Sequence, residues 1–156
     1  MEIVDINFNY KLFEENIKEK RSKCDEVCDK LQNLFYLSDE LDNFDSETNF
    51  YTQIEDSISE EMMETVENLV KVSKELENAI NMYIAVMKAR INYVETTKTE
   101  DQILSDYKTR TERTGLRTSI VKYEKLKADY QKSVKGLLDE VEIIGPEDEE
   151  KSEPEL

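Results

Sequence analysis

The sequence predicts an all-α protein, an elongated antiparallel helical bundle or coiled coil followed by a disordered acidic tail. Charged residues make up 37% of the chain, against roughly 25% in ordinary globular proteins. The 156 residues include only 3 Gly and 2 Pro, which favours long, uninterrupted helices. Apolar residues recur at alternating steps of three and four, the heptad pattern of packed helices. We therefore expect a helical bundle over residues 1–144 and a solvated tail over 145–156.

The first predicted helix covers residues 9–37. Lys20 occupies the single polar slot of its apolar stripe, so the pattern holds over more than three heptads. The stripe consists of Tyr10, Phe13, Ile17, Cys24, Val27, Leu31 and Leu34. Residues 38–57 are acidic and rich in Ser, Asp, Asn and Thr, which predicts a connector with one helical turn.

A longer helix is predicted over residues 58–96. Ser57 and Glu60 have the spacing of a capping box, in which each side chain bonds the other residue's backbone N–H. Ile84 and Ile91 widen the stripe near its end, which indicates contact with more than one helix. The main seam consists of Met62, Val66, Leu69, Leu76, Ile80, Tyr83, Met87 and Val94.

Two further helices are predicted over residues 100–114 and 119–140, with Gly115 as the C-cap between them. The apolar face of the last one consists of Ile120, Tyr123, Leu126, Tyr130, Val134, Leu137 and Leu138. Helices this long are not expected to bury their whole stripes within so short a chain, so a partner helix is predicted. The candidate partner-binding residues, which could equally be core, are Tyr83, Met87, Ile91, Tyr123, Leu126 and Tyr130.

The composition argues against catalysis. The chain has no His, which removes the usual general base and the common imidazole metal ligand. We therefore expect no catalytic residue, no metal site and no cofactor, and no enzyme activity. Cys24 and Cys28 lie one helical turn apart, a poor geometry for a disulfide, and are expected to be helix-face thiols in a reducing compartment. No apolar run is long enough to suggest a membrane span.

Charge is distributed unevenly along the chain. Residues 1–84 carry 8 basic and 21 acidic side chains, residues 85–136 carry 12 and 7, and residues 137–156 carry 1 and 9. The net charge of −16 argues against a dedicated nucleic-acid-binding protein. The basic stretch Lys108–Lys135 is expected to be solvated or paired within the chain, with auxiliary contact to nucleic acid as the alternative.

A short branched segment, Val141-Glu142-Ile143-Ile144, precedes a row of carboxylates. Such a segment can add a strand to the exposed sheet edge of another protein, as SUMO-interacting motifs do, with carboxylates meeting basic residues at the rim. Val141, Ile143 and Ile144 are the candidate SUMO-contacting residues. The alternative is that these side chains close the end of the bundle.

The segments Leu76–Asp101 and Ser119–Glu140, followed by the acidic-apolar DEVEII, resemble the helical region of the non-SMC element two family, the SUMO ligase subunit of the SMC five–six complex. The residues that carry the resemblance are Leu76, Tyr83, Ala85, Val86, Ile91, Asn92 and Val94 in the first segment and Lys122, Tyr123 and Leu126 in the second. It implies a nuclear helical scaffold that docks on the coiled-coil arm of an SMC protein in chromosome maintenance and DNA repair. The family's Cys/His zinc module has no counterpart in a chain without His, so no catalytic or metal residue is carried over.

Two other interpretations fit the heptad stripes. One is a coiled-coil adaptor of another assembly, such as a vesicle-tethering or kinetochore complex. The other is a bacterial helical secretion partner or a phage-encoded acidic inhibitor. In both interpretations the chain is non-catalytic, but its partner and its compartment differ from those of a scaffold on an SMC arm.

Overall fold

A computed structural model describes residues 10–43 and 49–144 of the chain. Four helices follow one another in this part: α1 (Tyr10–Leu41), α2 (Asn49–Thr97), α3 (Glu100–Ser105) and α4 (Tyr107–Ile144). They pack as a helical bundle, and the described residues contain no strand. The predicted all-α helical class is thereby confirmed.

Contacts divide the chain into two compact units. Unit 1 comprises Met1–Lys20 and Glu75–Asp129. Within it α2 and α4 run antiparallel, since Lys127 Nζ donates to Asn81 Oδ1 at 2.9 Å while Arg113, earlier in α4, bonds Glu95, later in α2. The core of unit 1 consists of Ile17, Leu76, Ala79, Ile80, Tyr83, Ile84, Met87, Val94, Ile103, Leu116, Ile120 and Tyr123.

Unit 2 comprises Arg21–Lys74 and Tyr130–Leu156. Its core consists of Cys24, Val27, Leu31, Leu34, Leu41, Met62, Leu69, Val72 and Val134. Thr65 is also buried, and its hydroxyl donates to the Glu61 carbonyl oxygen at 2.7 Å. This bond satisfies the only polar group that the Thr65 side chain brings into the core.

The first two helices are longer than predicted. Leu41 is 5% exposed and anchors the last turn of α1, so that helix extends beyond the predicted end at residue 37. α2 begins at Asn49 rather than residue 58, and Ser57 lies in its interior instead of capping it. Ile54 and Ile58, both half-buried, precede Met62 at steps of four and continue its apolar face towards the N-terminus. Because adding residues to an existing helix costs little, the helix continues through the polar segment.

The break between the last two helices, predicted at Gly115, lies at Asp106. Thr99 caps the start of α3: its hydroxyl accepts from the Gln102 N–H while the Gln102 side chain accepts from the Thr99 N–H. Asp106 follows the last residue of α3, has an extended backbone, and accepts from the Lys108 N–H and the Thr109 hydroxyl. Asp106 thus serves as an N-cap for α4. Gly115 lies inside α4 and no described glycine has a positive φ, so its predicted role as a C-cap is wrong.

The branched segment near the C-terminus is helical in this structure. α4 includes Val141 and ends at Ile144, so the segment is helical here rather than extended, as addition of a strand to a partner would require. Val141 is half-buried, whereas the side chains of Ile143 and Ile144 lie outside the described part. The acidic tail predicted over 145–156 also lies outside the described residues.

Candidate interaction surfaces

A cluster of aromatic rings surrounds Tyr83 in unit 1. The Tyr83 ring stacks on Phe13 at 5.6 Å between centroids, meets Tyr123 edge-on at 5.2 Å, and lies 6.3 Å from Tyr10. Its hydroxyl donates to Glu14 Oε2 at 3.1 Å. Burial, together with the Glu14 carboxylate, raises the pKa of Tyr83 above its usual value. Residues of α1 and α4 therefore meet at this one side chain of α2.

The six candidate partner-binding residues lie largely within the bundle itself. Tyr83 and Met87 are 2% and 0% exposed, and Tyr123 is 9% exposed. Ile91 and Leu126 are half-buried, as is Tyr130. The first three have no surface left for a partner in this conformation, so the seam read from the sequence is an internal core at Tyr83, Met87 and Tyr123.

Tyr130 belongs to unit 2 and joins α1 to α4. Its hydroxyl donates to Asp25 Oδ1 at 2.6 Å and accepts from Arg21 Nε at 3.3 Å. The Arg21 guanidinium also lies 5.8 Å from the centre of the Tyr130 ring. Burial is the main cause that raises the pKa of Tyr130, and the hydrogen bond to Asp25 adds to it. This side chain acts as a bridge between helices of its own unit.

Ion pairs between helices neutralise much of the charge of unit 1. Arg90 bonds Glu112 through Nε and Nη2 at 2.9 and 3.1 Å, a bidentate geometry. Arg113, whose side chain is only 10% exposed, bonds both carboxylate oxygens of Glu100 at 3.0 and 3.1 Å. The hydrogen bonds from Arg113 lower the pKa of the Glu100 carboxyl. These contacts fix α4 against both α2 and α3.

Several cations of the basic stretch Lys108–Lys135 are bonded to other side chains of the same chain. Arg117 bonds Glu95, Lys127 bonds Asn81, and within α4 Lys125 and Lys135 bond the carboxylates four residues further on. Internal pairing was one of the two interpretations of this stretch. The paired residues leave a smaller basic surface than the sequence count of cations suggests.

Cys24 and Cys28 lie together on α1 in unit 2. Cys24 is fully buried and Cys28 is half-buried. The interaction between the two thiols raises the pKa of Cys24 and lowers the pKa of Cys28. Both cysteines are free thiols in the structure.

Large apolar side chains remain exposed on both units, although each has its own core. In unit 1 they are Leu12, Met82, Leu104, Tyr107 and Val121. In unit 2 they are Tyr36, Leu37, Phe50, Met63 and Val70. Met63, Val70, Met82 and Val121 lie outside the main heptad seams predicted from the sequence, and the seven-residue spacing of Met63 and Val70 is the signal that marks a second seam.

The two units differ sharply in charge. The described residues of unit 1 carry 13 basic and 12 acidic side chains, a net charge of +1. Those of unit 2 carry 7 basic and 15 acidic side chains, a net charge of −8. The exposed apolar residues of unit 2 therefore lie on an acidic part of the chain, and those of unit 1 do not.

The described residues provide no arrangement typical of a metal centre. Across residues 10–43 and 49–144, no group of three or more Cys, Asp or Glu side chains is placed to hold a metal ion. None of the helices in the same ranges is long and apolar enough to span a bilayer.

Comparison with known proteins gives no relative to set beside these surfaces. No family model, no curated protein and no solved structure matches the chain.

Proposed function

We propose that the chain is a non-catalytic helical scaffold that binds a coiled-coil protein. The observation that carries this proposal is the pair of units with complete cores and exposed Met, Leu, Val and aromatic side chains on the outer faces of the same helices. Helices that have already satisfied their own packing have no internal use for such residues. Apolar side chains at seven-residue spacing on a helix are what a further helix packs against.

The first partner to test is the arm of an SMC-type chromosome maintenance or DNA repair complex, with the nucleus as the compartment. The resemblance of Leu76–Asp101 and Ser119–Glu140 to the non-SMC element two family supports this choice. Tyr83 and Tyr123, two of the residues that carry this resemblance, are buried in the core of unit 1. Docking on an SMC arm would therefore use the outer faces of their helices. A vesicle-tethering or kinetochore complex is the competing partner class.

The experiment is purification of the tagged full chain from its native cells at about 0.15 M salt, followed by mass spectrometry and cross-linking. Recovery of a coiled-coil protein, cross-linked to lysines on exposed helix faces such as Lys71 or Lys122, is the expected result. Recovery of an SMC protein supports the specific assignment, and recovery of other coiled-coil subunits transfers it to their complex. If the chain elutes with no helical partner across several salt concentrations, the scaffold proposal is wrong.

SUMO binding through Val141, Ile143 and Ile144 is a second part of this proposal, supported by the branched-acidic pattern. The last turn of α4 would have to unwind, because strand addition requires an extended backbone. Residues at a helix end open at low cost. The test is a nuclear magnetic resonance titration of labelled SUMO with the full chain, in which Ile143→Ala with Ile144→Ala should abolish the shifts. Shifts that the double variant leaves unchanged would assign these residues to packing alone.

A further inference from the structure

One exposed face of α2 in unit 2 combines apolar and acidic side chains in register. We call it the outer stripe, formed by Asp56, Glu60, Met63, Glu67 and Val70. At about 100° per residue these positions fall within about 80° of one another around the helix, and all are exposed. The stripe extends over about 21 Å along the helix at about 1.5 Å per residue, which matches a contact of about four turns.

The apolar members of the outer stripe form a second seam on α2. Met63 and Val70 are 63% and 50% exposed, whereas Met62 and Leu69, each one residue earlier, are 5% and 0% exposed. Both pairs are separated by seven residues. The inner pair packs in the core of unit 2, and the outer pair presents the same heptad spacing to the solvent.

Three carboxylates lie beside this seam, those of Glu60, Glu64 and Glu67, and among the described residues none of them makes an ion pair. By contrast, Glu61, on the side towards α1, pairs with Lys30 at 3.5 Å. Two exposed cations, Lys71 and Lys74, follow Val70 on the same side of α2. The outer stripe therefore presents an apolar pair that is bordered by carboxylates around Met63 and by lysines after Val70.

We infer that the outer stripe binds a basic amphipathic helix of a partner protein. The inference rests on the proposed scaffold function and names the chemistry of the partner: apolar residues at heptad spacing, flanked by Lys or Arg. Such a helix would bury Met63 and Val70 while its cations meet Glu60, Glu64 and Glu67. This is the arrangement in which flanking charges select the partner of a helical seam.

Charge argues against the other occupants. A second copy would bring another surface of unit 2, whose described residues carry a net charge of −8, against the first. The chain's own segments outside the described residues are also acidic: residues 1–9 carry Glu2 and Asp5, and residues 145–156 carry six acidic and one basic side chain. Nucleic acid and anionic membranes have the same sign and are repelled.

The test uses two synthetic helical peptides of about three heptads, identical in their Leu seam, one with Lys and the other with Glu at the flanking positions. Binding of each labelled peptide to the full chain is followed by fluorescence anisotropy at about 0.05 and about 0.5 M NaCl. We expect the Lys peptide to bind at low salt and weaken at high salt. The Glu peptide is expected not to bind.

Two sets of variants locate the site. Met63→Ser with Val70→Ser should weaken binding of the Lys peptide by on the order of tenfold or more, because both apolar anchors are removed. Glu60→Gln, Glu64→Gln and Glu67→Gln together should weaken binding and reduce its salt dependence. The matched control is Met82→Ser with Val121→Ser, which removes two exposed apolar residues from unit 1 and should leave binding unchanged. Circular dichroism confirms that each variant is folded.

Several results would overturn the inference: equal binding of both peptides, an equal loss in the control variant, or sedimentation that reveals a dimer disrupted only by Met63→Ser with Val70→Ser. The last would identify a second copy as the occupant. Failure of this inference is separable from failure of the scaffold proposal. If the Met63→Ser, Val70→Ser variant still recovers a native coiled-coil partner, the scaffold proposal stands and the binding site lies outside the outer stripe.

Discussion

Truncation of Tyr83 provides the sharpest test of the core of unit 1. The side chain is 2% exposed and contacts the rings of Phe13, Tyr10 and Tyr123. Removing a buried aromatic ring to leave Ala costs about 3–5 kcal/mol of unfolding free energy, because burial is lost and a cavity remains. We expect Tyr83→Ala to fall in this range.

A conservative substitution at Tyr83 measures the contribution of the hydroxyl apart from that of the ring. Tyr83→Phe keeps the three ring contacts and removes only the hydrogen bond to Glu14. Such a bond contributes about 0.5–1.5 kcal/mol, and the exposure of Glu14 to solvent places this one near the lower end. The control is Val121→Ala, at a position 67% exposed, which should change stability by less than about 0.5 kcal/mol.

The assay is urea unfolding followed by circular dichroism. With a slope of about 2 kcal/mol per molar urea, Tyr83→Ala should lower the unfolding midpoint by about 1.5–2.5 M, and Tyr83→Phe by about 0.5 M or less. A Tyr83→Ala variant that loses less than about 1 kcal/mol would refute the core assignment. If that variant also failed to capture a helical partner, Tyr83 would instead be an interface residue, the other role that its sequence position allowed.

Three further predictions concern a helical glycine, an ion pair and a thiol pair. Gly115→Ala should raise the unfolding free energy by about 0.5–1 kcal/mol in urea titrations, because the glycine lies inside α4 with open space around its α-carbon; a C-cap glycine would give a loss. The Glu100 carboxyl should titrate below its usual pKa of 4.5 in nuclear magnetic resonance, so its ion pair is present above that pH and is lost as the pH falls through the lowered value. Arg113→Gln should move the midpoint back up, and an unmoved midpoint would exclude Arg113 as the cause. Iodoacetamide should modify Cys28 before Cys24, because Cys28 is more exposed and has the lower thiol pKa; equal rates by mass spectrometry would contradict this.

Heptad spacing predicted the helical class and the main seams, because apolar periodicity reports directly which side of a helix avoids water. It could not decide whether Tyr83 packs within the chain or on a partner. That depends on Phe13 and Glu14, about seventy residues away, whose proximity no local pattern encodes. The same limit applies to the outer stripe, where Met63 and Val70 resemble the buried pair beside them until the packing of unit 2 is known.

Local turn signals were less reliable than periodicity, and the reason is energetic. Ser57, Glu60 and Gly115 each have a residue type that favours a helix end, but a cap contributes only about 1 kcal/mol. The apolar residues that continue across them, Ile54 before Ser57 and Leu116 after Gly115, contribute more through burial. Where no such continuation competes, at Asp106, the polar residue does end one helix and begin the next.

The contrast between the two units follows from where the cations lie. In unit 1 the arginines of α2 and α4 meet carboxylates across helices, so its charge is cancelled by bonds that also fix the packing. Unit 2 has too few cations for its carboxylates, and unpaired like charges destabilise a compact state. A partner that supplied cations would relieve this repulsion as it buried Met63 and Val70. Binding and folding of unit 2 would then reinforce each other, since a ligand that prefers the folded state stabilises it.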